Sequence, residues 1–210
     1  LFAERFRFGF LRSLVRLTFR MDVPEDPWQC VELDAPARVL GAGSIHDFPW
    51  YFEGESTVAA ASFEDVCSFL LGCTYMRDPD LFRVGDFWQH PITFEDLRKG
   101  DCEDHALWAW RKLRELGYRA HLVAGSSNRD EVDPVGHVWV IFHADGGLYL
   151  LEATAKSRDA MVKPLDALRH HYQPHFSVDE TFTMFLYGGF GQYVMNRRSA
   201  RRQPRPPEPS

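Results

Sequence analysis

The stretch Arg98-Lys99-Gly100-Asp101-Cys102-Glu103-Asp104-His105-Ala106 decides how this chain folds. From Ala106 and Leu107 the apolar positions recur through Trp110, Leu113 and Leu116 in steps of three or four, which predicts a helix with one buried face. Gly100 relaxes the backbone ahead of that helix, and Asp101 is a favourable N-cap type. Cys102 then falls in the first turn, where unpaired N–H groups and the helix dipole favour a thiolate over a thiol. The plain alternative is a small buried hydrophobe, the usual fate of a free cysteine.

After Leu116-Gly117, residues 119–124 read as a short strand, and residues 125–136 as a polar loop. His137-Val138-Trp139-Val140-Ile141-Phe142-His143 is rich in β-branched and aromatic residues. The turn signal Ala144-Asp145-Gly146-Gly147 joins it to Leu148-Tyr149-Leu150-Leu151-Glu152-Ala153-Thr154, which predicts a β-hairpin. A four-residue loop sets His137 opposite Glu152; a two-residue Asp145-Gly146 loop sets Glu152 opposite Trp139 instead. Side chains alternate along strands, so both registers put His137 and Glu152 on one face. A lone histidine is usually structural. A cysteine at a helix start followed by a His/carboxylate pair on the next hairpin is a far rarer coincidence.

These segments resemble the transglutaminase-like superfamily of papain-like cysteine enzymes, and most of all its bacterial transglutaminase-like cysteine proteinases. The family pattern of an aromatic-Trp-x-x-Pro segment followed by Gly-Asp-Cys-Glu-Asp matches Phe87-Trp88-Gln89-His90-Pro91 and Gly100-Asp101-Cys102-Glu103-Asp104. The resemblance spans residues 62–154 and implies an α+β fold, with the nucleophile helix packed on an antiparallel β-sheet. It assigns the catalytic Cys, His and acid to Cys102, His137 and Glu152. The family acid is usually Asp, so Glu152 departs from the pattern by one methylene.

The expected chemistry is amide or peptide hydrolysis through a thioester. The helix start and His137 favour a thiolate–imidazolium pair, and Glu152 orients the ring. Backbone N–H groups of the first turn stabilise the oxyanion, with Gln89, or else Trp88, as a further donor. An amine-accepting acyltransferase needs the same three residues, and a non-catalytic interaction domain on the same fold is the third reading. Acids flanking the cysteine bind calcium in some of the resembling proteinases, which makes Asp101 and Glu103 candidate ligands. Capping and the helix dipole already account for acids at this position, so no cofactor is expected.

The rest of the chain sets bounds. Its 210 residues suit one domain, residues 22–195, between an amphipathic segment (1–21) and an Arg/Pro-rich tail (196–210) expected to be disordered. The net charge of -6 argues against general nucleic-acid binding, and the expected partner is a protein or peptide substrate. Cys30, Cys67, Cys73 and Cys102 have no metal-ligand spacing, which points to a reducing, cytoplasmic compartment. Phe2, Phe6, Phe10, Leu14 and Leu17 form a helical stripe, and Arg5, Arg12, Arg16 and Arg20 interrupt any continuous apolar run. That excludes a transmembrane span there and speaks against a secretory signal. Packing of this stripe on protein is favoured over contact with an anionic membrane. Ser62 is a plausible N-cap for a helix carrying Val66, Phe69, Leu70 and Cys73, and residues 162–170 suggest a short helix. His170, His171 and His175 have no recognisable metal spacing and read as a solvated loop.

Overall fold

Helix α4 (Cys102–Glu115) is the axis of the computed structural model, which describes residues 24–34, 46–128, 135–191 and 193. The amphipathic stretch and the Arg/Pro-rich tail lie outside the described residues. Helix α4 is buried from Glu103 to Leu113, on all sides rather than on one face. Around it stand α1 (Phe63–Leu71), α2 (Asp78–Leu81), α3 (Pro91–Leu97) and a 3₁₀ turn at Phe48–Phe52. Ser62 caps α1 as its sequence predicts, in a capping box with Asp65. The segment around Trp50 is that 3₁₀ turn, with Pro49 in its first positions.

The other layer is a seven-stranded antiparallel sheet, in the order β1-β9-β8-β4-β5-β6-β7. Its strands are β1 (Cys30–Leu33), β4 (Ala120–Ser127), β5 (Val135–Ala144), β6 (Gly147–Leu151), β7 (Val162–Pro164), β8 (Tyr172–Val178) and β9 (Met184–Tyr187). Two short parallel strands, β2 (Thr74–Tyr75) and β3 (Lys99–Gly100), pair beside the start of α4. A helix packed on an antiparallel sheet is the α+β architecture the sequence leads one to expect.

Strand alternation gives the sheet two faces. Val138, Val140 and Phe142 face Leu107, Trp110 and Leu113 of α4 in the main core. Val123, Trp139, Ile141, Leu150, Leu165 and Tyr172 form a second core on the opposite face. Among the described residues, no helix is long and apolar enough to cross a membrane.

The β5–β6 connection is the two-residue turn: Ala144 pairs with Gly147, and Asp145 and Gly146 both have positive φ, 48° and 75°. This is the backbone that a tight hairpin following the strand twist requires. The polar loop is shorter than expected. Gly125, Ser126 and Ser127 belong to β4, and Val135 and Gly136 to β5. Strand β4 is central and bonded to β5 and β8, so pairing on both sides overrides the polar, glycine-containing sequence. The single helix expected over residues 162–170 is instead β7 followed by α6 (Leu165–Leu168), with α5 (Arg158–Met161) before it. His175 is buried in β8 rather than solvated, whereas His170 is exposed.

Burying α4 all round encloses charges, and its two cations, Arg111 and Lys112, are matched. The Arg111 guanidinium donates to the carbonyls of Tyr51, Glu53 and Gly54. Lys112 pairs with Glu95 at 3.5 Å, both side chains almost fully buried. Glu95 also accepts from the Thr57 N–H, the Ser56 hydroxyl and the Trp108 indole. Removing one partner of a buried ion pair strands the other. Lys112→Met should therefore lower the unfolding free energy by about 3 kcal/mol. Urea denaturation checks this, and a loss below about 1 kcal/mol would mean that Glu95 is satisfied without the lysine.

Candidate active site

Cys102 opens α4 directly after Gly100 and Asp101. Gly100 is bridged to Tyr75, and a Cβ there would lie 2.3 Å from Asp104 Oδ2 and 2.6 Å from Gln89 Nε2, so the position admits only glycine. The Asp104 carboxylate, one turn into the helix, accepts the Asp101 N–H (3.2 Å) and the Gln89 N–H (2.8 Å). The Gln89 side-chain amide gives its hydrogens to Asp104 and to the Lys99 carbonyl. Gln89 thus braces the helix start and has no N–H left for an oxyanion, contrary to the expectation from its residue type. The buried Asp104 carboxylate is the reason: it needs donors, and Gln89 supplies two. Trp88 is buried, its ring edge-on to Phe48.

His137 lies near the start of β5, and Glu152 follows the last residue of β6. His137 Nε2 donates to Glu152 Oε2 at 2.7 Å, which leaves Nδ1 for other partners. The other carboxylate oxygen accepts the Thr154 hydroxyl at 2.6 Å and the Thr154 N–H at 3.3 Å. Tyr172 donates its hydroxyl to Oε2 at 2.8 Å. Burial would raise the pKa of Glu152; the charge of His137 and these hydrogen bonds outweigh it and hold the carboxyl at about 2. The pair is a fixed anion–imidazole unit. Tyr172 was not foreseen, since its sequence neighbourhood carries no catalytic signal.

Cys102 is partly exposed as a residue. Its sulfur packs against the main core, with the Val138 N–H of β5 acting to lower its pKa. Among the described residues no hydrogen bond joins the sulfur to His137, whose ring stacks on Trp139. The thiol donates to Glu103 Oε2 at 3.1 Å. Burial, then the charges of Glu103 and Asp101, raise its pKa well above the usual thiol range. This departs from the thiolate expected on dipole grounds. Nearby carboxylates oppose ionisation more strongly than one helix terminus promotes it.

Those carboxylates form a cluster wider than the sequence suggests. Asp78, Asp101 and Asp104, and again Asp78, Asp86 and Glu103, bring ligand oxygens within 4.8 Å of one another. Asp78, on α2, is buried and accepts the Phe87 N–H. Asp78 Oδ1 and Asp101 Oδ1 are buried without a hydrogen-bond partner. Burial and Asp101 lift Asp78 to about 6; burial chiefly lifts Asp104 to about 8 and holds Glu103 well above the usual carboxylate range. Capping explains Asp104 but not Asp78 and Asp86. Orphaned oxygens in an all-carboxylate set fit a hard divalent cation such as Ca²⁺. The signal for Asp78 and Asp86 was present only as acids in a stretch that reads as a polar connection.

The cluster makes stability pH-dependent. Asp104 and Glu103 keep protons in the folded chain that they lose in the unfolded chain at the same pH. Raised acids of this kind cost stability as the pH climbs towards their folded pKa. His105 and His175, pushed down to about 4 by burial, act only below the ordinary histidine value of 6.5. In chelator the melting temperature should therefore fall between pH 6.5 and 8. Calcium should raise it and flatten the dependence. Thermal melts check both, and a flat chelated profile with no response to calcium would contradict the cation assignment.

No protein-family description matches the sequence, and no curated protein matches it. Solved structures similar to this chain include LapG of Legionella pneumophila in three forms. An EGTA-treated form has 23% identity and a TM-score of 0.43 over 54% of this chain. LapG without a stated treatment has 21% identity and a TM-score of 0.45, covering 65% of this chain and 73% of its own length. A calcium-bound form has 21% identity and a TM-score of 0.44, with 64% and 77% covered. The chain spans 60% of the length of the EGTA-treated structure.

Proposed function

We propose that this chain is a cysteine-dependent amide or peptide hydrolase with a protein or peptide substrate, in which Cys102 is the nucleophile, His137 the acid–base and Glu152 the orienting acid. The observation that carries the reading is the buried His137–Glu152 pair, 2.7 Å apart, carried by the β5–β6 hairpin against which α4 packs. A lone structural histidine has no need of a buried carboxylate pulled down to about 2.

In this reading the Cys102 proton passes to His137, whose Nε2 stays on Glu152. The sulfur attacks the carbonyl carbon, and the oxyanion is met by backbone N–H groups at the start of α4. His137 returns the proton to the leaving amine, giving a thioester. It then takes a proton from water, whose oxygen attacks the thioester and releases acid and free thiol. Asp78, Asp86, Asp101 and Glu103 would hold calcium, and its charge would offset the carboxylates that keep the thiol protonated. Water is the acceptor we favour because the nucleophile is bordered by carboxylates, whereas amine transfer needs a water-excluding approach.

With a peptide or glutamine donor, calcium and excess labelled amine, most product should be free acid. Cys102→Ala and His137→Ala should each lower the rate by about 10³-fold or more. Product analysis by mass spectrometry decides. Mostly amine conjugate would make the protein an acyltransferase, and wild-type activity retained in Cys102→Ala would refute the nucleophile.

A further inference from the structure

We propose that Tyr172 is a positioning residue, whose hydroxyl fixes the Glu152 carboxylate so that a glutamate can orient His137. The proposal rests on the reading of Cys102, His137 and Glu152 as the reacting groups. A glutamate has one more rotatable bond than an aspartate, so its carboxylate must be held from outside to keep one orientation. Here four donors do this. Oε2 accepts His137 Nε2 and the Tyr172 hydroxyl, and Oε1 accepts the hydroxyl and N–H of Thr154. Together they occupy the roughly four lone-pair directions a carboxylate offers.

Tyr172 reaches this place from a distant strand. In the sheet order β8-β4-β5-β6 it starts β8, three strands from the one that leads into Glu152. Its buried ring lies edge-on to Trp139 with centroids 5.0 Å apart, and 6.2 Å from the His137 ring. Gly125 on β4 keeps that space open: a Cβ there would come within 2.7 Å of the Trp139 ring. Packing against Trp139 needs only the ring, so phenylalanine would serve the core equally well. The hydroxyl donates to Glu152 Oε2, a bond that phenylalanine would lose while keeping the ring packing.

The test is Tyr172→Phe, which keeps the ring, with Thr154→Val as a second variant that frees the other oxygen. The titratable groups around Glu152 are His137 from β5, Tyr172 from β8 and His105 from α4, and neither variant alters the two histidines. Hydrolysis of a peptide or glutamine donor is followed with calcium chloride present, and kcat and KM are determined for wild type and both variants. A loosened Glu152 orients the His137 ring less well in the transition state, so kcat should fall about tenfold in each variant with KM unchanged, the equivalent of one charge-assisted hydrogen bond. The melting temperature of Tyr172→Phe should stay near that of wild type. An unchanged kcat overturns the proposal, and so does a loss that falls on KM alone. If wild type hydrolyses no donor, or Cys102→Ala retains its rate, the underlying reading fails instead, and the proposal with it.

Discussion

Everything near the site depends on the complete burial of helix α4. A helix buried on one face leaves its charged residues in water; this one cannot. Asp104, Arg111 and Lys112 are buried on it, and each has been given partners from chain segments far away in sequence. Meeting those requirements brings the Trp88-Gln89 segment against the helix start and the Tyr51–Val58 segment against its middle. Polar satisfaction, and not apolar packing alone, therefore fixes where Cys102 stands.

The same burial sets up an electrostatic conflict. The first turn of α4 offers N–H groups that favour an anion. Glu103 and Asp101 flank the sulfur, however, with Asp78 and Asp86 beyond them. Burial and these groups hold the thiol protonated; a divalent cation bound among them would offset part of their negative charge. The arrangement would tie the state of the Cys102 thiol to the occupancy of its neighbouring carboxylates. Glu152 is not among these carboxylates: the charge of His137 and hydrogen bonds from His137, Thr154 and Tyr172 hold it ionised.

Much of this was legible in the sequence because the signals are local. The cap and first turn of α4, the Ser62 capping box, the hairpin and the shared face of His137 and Glu152 follow from spacing alone. The choice between hairpin registers needed the turn backbone, which a sequence with two adjacent glycines leaves open. Longer-range placements stayed hidden. Asp78 joins Asp101 because β2 pairs with β3, a two-residue contact without sequence pattern. Tyr172 crosses the sheet from β8, and Gly125-Ser126-Ser127 forms strand because both its neighbours bond it. Gln89 was read by residue type as a free donor, and only its contacts show that its hydrogens are spent.

The central claim is that Cys102 is set apart chemically from Cys30, Cys67 and Cys73. The last two are buried thiols raised to about 11, and burial raises Cys30 as well. The most direct measurement is peptide mass spectrometry of the native, calcium-loaded protein after a limiting dose of iodoacetamide. The account predicts that the label falls almost wholly on Cys102, and that chelation slows this labelling. Labelling spread evenly over the four cysteines, or concentrated on Cys30, would contradict it.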